Sequence, residues 1–430
     1  MTGPARRRAF AIAVVLLSCL AALTTAEGLV RLLEARQRSG EKRRARYEEA
    51  YQARSFRKGG LGPAGYLAEG FRGLVSDEYG RPVEWIHNSA GFRSRREFAR
   101  EPPPGTLRIL ILGDSFVAGY RMGQDDTFGA LLERWLRESG EHRDVEVLLA
   151  ATEEPATSLY YLERWGLSWK PHLVLLGLTL GNDIAQVYFT LGPQAAYRFS
   201  DRQGSPGLEI NPAANHDARL PLVQHPLLPP ECWRPGSGHE PDWLHRSHKA
   251  GEGRFHLAAL FSAWLAERRE RRAPQAIVST WGAYRDPRLF DGNGLGMYLQ
   301  PPPRKIALAY HRLFLVLRGY RDLCRQHGVA CAAAVFPQRF QVQPRDWQAA
   351  VETYGLVPAC FDLKAPNRRI SRFCRRLGLP LLDPTDAMTA RAAAGETLYM
   401  PRGDMHWSRA GHRAFVEAVR RDLANLLAGL

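Results

Sequence analysis

Three short blocks, far apart in the chain, hold the side chains that chemistry would use. Gly113-Asp114-Ser115-Phe116 offers a hydroxyl, and Gly181-Asn182-Asp183 offers a side-chain amide. Gly403-Asp404-Met405-His406-Trp407-Ser408 offers a carboxylate two residues before an imidazole. In an extended stretch, residues two apart face the same way, so Asp404 and His406 share a side. A carboxylate there fixes the imidazole tautomer and stabilises its charge, leaving the other ring nitrogen to take a proton from a serine. Each block also has an ordinary structural reading: Ser115 and Ser408 as helix N-caps, and Gly181-Asn182 as a turn. As a set they point to one relay of Ser115, His406 and Asp404, with the Asn182 side-chain amide able to point into the same crevice. Asp183, beside Asn182, is a second acid to weigh, and the relay role stays with Asp404.

Such groups meet only if the fold delivers them to one place. Residues 107–112 (LRILIL) form a continuous apolar run, as expected of a central parallel strand covered on both faces. Residues 127–139 carry helical spacing through Phe128, Leu131, Leu132, Trp135 and Leu136. A second strand is expected over 145–150, a helix over 158–169 and a third buried strand over 173–180. The rhythm resumes with a helix over 305–327, a strand over 329–336, a helix over 365–377, a short strand over 379–382 and a last helix over 408–428. Strand–helix–strand units of this length predict an α/β fold with a doubly wound parallel sheet. Ser115 and Asn182 then stand at the C-terminal ends of strands, the edge where open α/β sheets build their sites. Between about 190 and 300 the chain is rich in Pro, Gly, His and Trp, with one helix expected over 255–271. That stretch reads as a long insertion within a single domain over 106–430. His239, His245 and His248 inside it read as loop histidines rather than a metal set.

In this order and placement, the three blocks resemble those of the SGNH (GDSL-like) hydrolase superfamily, whose sheet is flavodoxin-like. Its members use a Ser in a GDS block, an Asn in a GND block and an Asp/His block before the last helix. His87-Asn88-Ser89-Ala90-Gly91-Phe92-Arg93, Phe336-Pro337 and Leu398-Tyr399-Met400-Pro401 are similar to a bacterial branch with an N-terminal membrane segment. The resemblance covers roughly 80–430 apart from the insertion. It implies an esterase acting on acyl esters, acetyl above all, through an acyl-serine. Ser115 is then the nucleophile, His406 the general base, Asp404 its orienter, and Asn182 with the Ser115 N–H the oxyanion donors. No metal or organic cofactor is implied. Two further readings come from it. The two-residue spacing of Asp404 and His406, followed by Trp407, resembles SGNH-type proteins that O-acetylate exported polysaccharides, which makes acyl transfer to a sugar hydroxyl an alternative. The other is a non-catalytic domain that binds glycan or partner proteins. The family's glycine block, whose N–H lines the oxyanion hole, matches 150–158 here. The register sets Pro155, which has no N–H, on the usual glycine.

Composition bounds the rest. The 430 residues are 45% hydrophobic and 24% charged, which suits a globular chain and excludes a disordered one. A net charge of +15 invites a nucleic-acid partner. However, 53 of the 59 basic residues are arginine, spread thinly and without a recognisable binding signature, so no nucleic-acid partner is expected. Residues 9–26 run 18 positions without a charge, the short end of a membrane-spanning helix, behind Arg6, Arg7 and Arg8. Thr24 is a poor minus-three residue for cleavage after Ala26, and helical periodicity continues past Glu27. A signal anchor over 1–26 is therefore favoured over a cleaved signal peptide, with a charged helical stalk and lead-in over 27–105. Basic residues on the two sides of the span pull the orientation in opposite directions. The resemblance decides for a single-pass inner-membrane protein whose catalytic domain faces the periplasm. Cys19 lies in the span. Cys232, Cys324, Cys331, Cys360 and Cys374 show no metal spacing, and disulfides or five buried thiols stay equally open.

Overall fold

The computed structural model describes residues 65–429 except 80, 141–143, 192–196, 203, 211–228, 233, 235–294 and 402–403, and before them 14, 17, 18, 24–26, 29, 32, 54–57, 61 and 62. The chain divides into two compact units, 1–46 with 240–274 and 47–239 with 275–430. In the first, the described residues are helical, and Val14, Leu17, Leu29 and Leu32 among them are exposed. Among the described residues no helix is long and apolar enough to cross a membrane. The uncharged run over 9–26 and the stalk up to 53 lie mostly outside the described residues. The helix expected over 255–271, His239, His245, His248 and Gly403 lie wholly outside them.

The second unit begins with an antiparallel hairpin, β1 (Arg72–Ser76) and β2 (Pro82–Ile86). Strands then alternate with helices: β3 (Thr106–Gly113), the one-turn α1 (Ser115–Ala118), α2 (Phe128–Ser139), β4 (Asp144–Ala151), α3 (Pro155–Arg164), β5 (Leu173–Thr179) and α4 (Asp183–Thr190). A second hairpin, β6 (Tyr197–Arg202) and β7 (Ser205–Ile210), opens the stretch read as an insertion. Next come α5 (Arg304–Gln326), β8 (Ala330–Phe336), α6 (Arg339–Val342), α7 (Pro344–Tyr354), α8 (Ala365–Leu377), β9 (Leu381–Leu382), α9 (Thr385–Ala393) and α10 (Arg409–Leu427).

The central sheet runs β4-β3-β5-β8-β9, all parallel. This is the flavodoxin-like order, and it reverses between β3 and β5, so a crevice opens beyond the ends of those two strands. Every residue of β3 is buried. Successive side chains of a strand point to opposite faces. Leu110 and Leu112 therefore join the layer that holds Leu159, Leu313 and Leu317, while Leu107, Ile109 and Ile111 join the layer that holds Leu132, Phe415 and Val419. Two apolar layers, one on each face, explain why the strand reads as continuously apolar. Its one charged residue, Arg108, is buried but paired with Glu146 of β4 at 2.6 Å, as a buried charge requires.

Local features depart from the sequence reading, among them the β6–β7 hairpin and α7, for which no element was expected. The sequence reading places no strand in the lead-in before residue 106. In fact it contains the β1–β2 hairpin, pinned by Trp85 packed with Leu67, Val75, Ala118 and Ala151. The helix expected over 158–169 starts at Pro155 and ends at Arg164, and 166–169 form a separate 3-10 turn. Cys232 and Cys360 form a disulfide, while Cys324, Cys331 and Cys374 are free thiols.

Candidate active site

The chain leaves β3 and turns at once into α1. Asp114 caps that helix, its carboxylate accepting from the Phe116 N–H at 3.0 Å. Gly119 ends it in the left-handed region, φ +65, where a side chain is strained. The single turn leaves Ser115 at the first helical position, half-buried, at the mouth of the crevice. At the end of β5, Gly181 lets the chain pass close to the loop after β8; a Cβ there would meet Gln338 Nε2 at 1.3 Å. Asn182 comes next and donates from Nδ2 to Asp114 Oδ2 at 3.3 Å. An amide carries two N–H donors, so this bond orients the group and leaves one donor over.

The third block reaches the same place from the C-terminal side. Met400 donates from its N–H to the His406 carbonyl at 2.9 Å, and Ser408 to the Leu398 carbonyl at 2.9 Å. Ser408 then caps α10, its hydroxyl accepting from the Gly411 N–H at 3.2 Å. Between them Trp407 is buried among Phe116, Phe128, Phe336 and Phe415, with ring centroids 4.9–6.1 Å apart. That aromatic anchor fixes the neighbouring imidazole, which lies against Phe116 at 5.1 Å and Tyr120 at 4.6 Å.

These elements bring Ser115, His406 and Asp404 into one line. Ser115 Oγ stands 2.7 Å from His406 Nε2, and His406 Nδ1 stands 2.7 Å from Asp404 Oδ1. The His406 backbone N–H donates to the same carboxylate oxygen at 3.0 Å. A carboxylate at Nδ1 places the ring proton there and leaves Nε2 to accept from the serine hydroxyl. Burial pushes the Asp404 carboxyl up, but the His406 charge, two hydrogen bonds and Arg121 outweigh it and hold it at about 2. Other carboxyls nearby behave oppositely. Burial raises Asp114 despite its hydrogen bonds, and burial with the charge of Asp114 raises Asp183 well above the usual range. Asp183 accepts from the Thr179 N–H at 2.7 Å and closes the β5 turn. Environment thus separates the acids, and the one held ionised is the one at the imidazole.

The turn after β4 borders the site too. Glu154 caps α3 and accepts from the N–H groups of Ala156 at 2.8 Å and Thr157 at 2.7 Å. Pro155 sits at the first helical position, where a missing N–H leaves no intrahelical partner unsatisfied. Glu153 precedes the cap at φ +68. Sequence reasoning took Pro155 as a lost donor and passed over Glu154. An acid directly before a proline is a helix-start signal that would have placed both. Arg121, 3.6 Å from Asp404 Oδ2, was also missed. It is one arginine among 53 and carries no spacing signal.

The sequence matches no protein-family model, and no curated protein matches it. Several solved structures are similar at low identity. TesA shares 13% identity over 74% of this chain and 99% of its own, with a TM-score of 0.33. The acetyl xylan esterase AlAXEase shares 10% over 74% and 99%, with a TM-score of 0.33. A member of the lipolytic protein G-D-S-L family from Veillonella parvula shares 7% over 73% and 97%, with a TM-score of 0.31. No residue role follows from similarity at this level.

Proposed function

We propose that this chain is a serine ester hydrolase of SGNH type that cleaves acyl esters, acetyl esters above all, through an acyl-serine. The observation that carries the reading is the unbroken Ser115–His406–Asp404 relay at the crevice between β3 and β5. His406 Nε2 takes the hydroxyl proton as Ser115 Oγ attacks the ester carbonyl. The negative oxygen that forms accepts from the Ser115 N–H and from the remaining N–H of Asn182, each such donor being worth about 10²–10³ in rate. Collapse expels the alcohol, protonated by His406, and leaves the acyl group on Ser115. Water then attacks, losing its proton to His406, and the acid departs.

A second reading differs only in the last step. A sugar hydroxyl takes the place of water and carries the acyl group away on a polysaccharide. The two-residue spacing of Asp404 and His406, followed by Trp407, favours it. We assign the chain to the inner membrane through residues 9–26, with the body in the periplasm. The Cys232–Cys360 disulfide supports an oxidising compartment.

Incubating the full chain with acetylated xylan and a deacetylated oligosaccharide tests these readings. Free acetate as the main product supports hydrolysis, and acetyl groups on the oligosaccharide support transfer. Neither product, with no acetyl group on Ser115, removes both. A reporter active only outside the cytoplasm, fused after residue 60, is expected to be active; silence there would refute the assigned orientation.

A further inference from the structure

Arg121 lies outside every block that carries the relay, yet its geometry ties it to them. Its backbone stands at φ +59, a region that a non-glycine residue keeps only when its surroundings hold it there. Here the side chain is held at three points. Nε donates to the Ser76 carbonyl at 3.0 Å, Nη2 to the Asp77 carbonyl at 3.4 Å, and Nη1 stands 3.6 Å from Asp404 Oδ2. That carboxylate oxygen is buried and makes no hydrogen bond, because Oδ1 takes both bonds from His406. The β1–β2 turn grips the same block a second time: Glu78 Oε2 accepts from the Arg409 N–H, at the start of α10, at 3.0 Å. Asp77 shapes the turn by accepting from the N–H groups of Tyr79 at 2.9 Å and Arg81 at 2.8 Å.

We propose that Arg121 is a positioning residue that binds the Asp404 carboxylate to the β1–β2 turn, so that the hairpin sets where the His406 imidazole stands. The proposal rests on the roles assigned to Ser115, His406 and Asp404 above. A planar guanidinium suits the task because its fork reaches two carbonyls and a carboxylate together, which an ammonium does less well. The other charged and titratable groups around Asp404 have their own partners. Arg339 of α6 donates to the Asp404 backbone carbonyl at 2.9 Å and pairs with Asp346 at 2.8 Å. Arg409 of α10 pairs with Asp126 at 3.0 Å. His412 of α10 is neutral, brought down to about 3 by burial and by the His406 charge. Asp114 accepts from Asn182, while Asp77 and Glu78 are engaged within the hairpin contacts.

The test compares the pH dependence of kcat/KM for p-nitrophenyl acetate in the wild type, Arg121→Gln and Arg121→Lys, on full-length chain. Removing the cation should lower the rate at neutral pH roughly tenfold, the factor of one pKa unit of charge interaction. It should also move the acid limb of the profile to higher pH by up to about one unit, because a positive charge no longer opposes the imidazolium. Arg121→Lys should return the limb to its wild-type position while recovering only part of the rate. An unmoved limb in Arg121→Gln, at any rate, overturns the proposal and leaves Arg121 a structural prop. Asp77→Ala, which loosens the turn without touching Asp404, should lower the rate as well; a wild-type rate there overturns the role of the hairpin. Should the wild type turn over no ester and Ser115 take no fluorophosphonate, the reaction assigned above falls and this proposal with it.

Discussion

The turns that end β3 and β4 stand side by side, with Gly113 opposite Ala151 in the sheet. Both run from a buried strand into a helix through a buried acidic N-cap, Asp114 in one and Glu154 in the other. In both, burial raises the cap's carboxyl. The two diverge immediately past the cap. After Asp114 comes Ser115, and a one-turn helix ends at Gly119. After Glu154 comes Pro155, and a helix of ten residues runs on to Arg164. The first turn leaves a hydroxyl and an N–H at its first helical position; the second has neither, and its next two N–H groups are bound by the cap. Similar backbone physics therefore yields one elbow that presents a hydroxyl and an N–H and one that presents neither, and the residue after the cap decides which.

The widest separation between the elbows is expected from their first helical residues. Ser115→Ala should lower ester hydrolysis by about 10⁵-fold or more, in line with loss of a triad nucleophile, with an unchanged melting temperature. Activity within tenfold of wild type would erase the distinction. Pro155→Gly makes the second elbow resemble the first by restoring an N–H at the same helical position. We expect a rate gain of up to about tenfold, together with a loss of about 0.4–1 kcal/mol in stability from the freer unfolded chain. A melt and a steady-state assay on one preparation read both, and an unchanged rate would show that this N–H does not reach the oxyanion.

Smaller effects come from the acids of the second elbow. Glu154→Ala strips the cap from α3 and should cost about 1–2 kcal/mol by denaturant titration, while Ser115 still reacts with a fluorophosphonate. Loss of that reaction would mean the second elbow takes part in chemistry. Glu153 keeps an exposed side, but burial around its carboxyl, then the charge of Glu154, pushes that carboxyl from 4.5 to about 7. A folded-state pKa above the unfolded value means that stability is greatest below pH 4.5 and declines as pH rises towards 7. Glu153→Gln should remove that decline, matching wild type at pH 4 and exceeding it at pH 8 by less than about 1 kcal/mol, because solvent screens an exposed group. Parallel stability curves for the two proteins would contradict the assignment.

The contrast also marks what a linear sequence displays. Ser115, Asn182, Asp404 and His406 were legible because each stands beside a strong signal. An apolar strand ends just before two of them, and the other two stand before a helix with Ser408 as its cap. The alternation of elements implied a parallel sheet, while its flavodoxin-like order came only with the resemblance to the SGNH superfamily. The hairpin was not legible, because its alternating runs, 72–76 and 82–86, are five residues each among glycines and prolines. Pro155 read only as a missing donor and not as a helix start, because the cap that Glu154 places on α3 shows only once the turn is folded. Arg121 acts through backbone carbonyls 44 and 45 residues away and a carboxylate near the other end of the chain. No local pattern encodes such contacts.

We assign Ser115 as the nucleophile of the relay, activated by His406. The most direct measurement is peptide mapping by mass spectrometry after treatment of the full chain with a fluorophosphonate at neutral pH. We predict one adduct, on the peptide carrying Ser115, absent in Ser115→Ala and slowed at least a hundredfold in His406→Ala. An adduct elsewhere, or labelling of Ser115 at the same rate without His406, would contradict it.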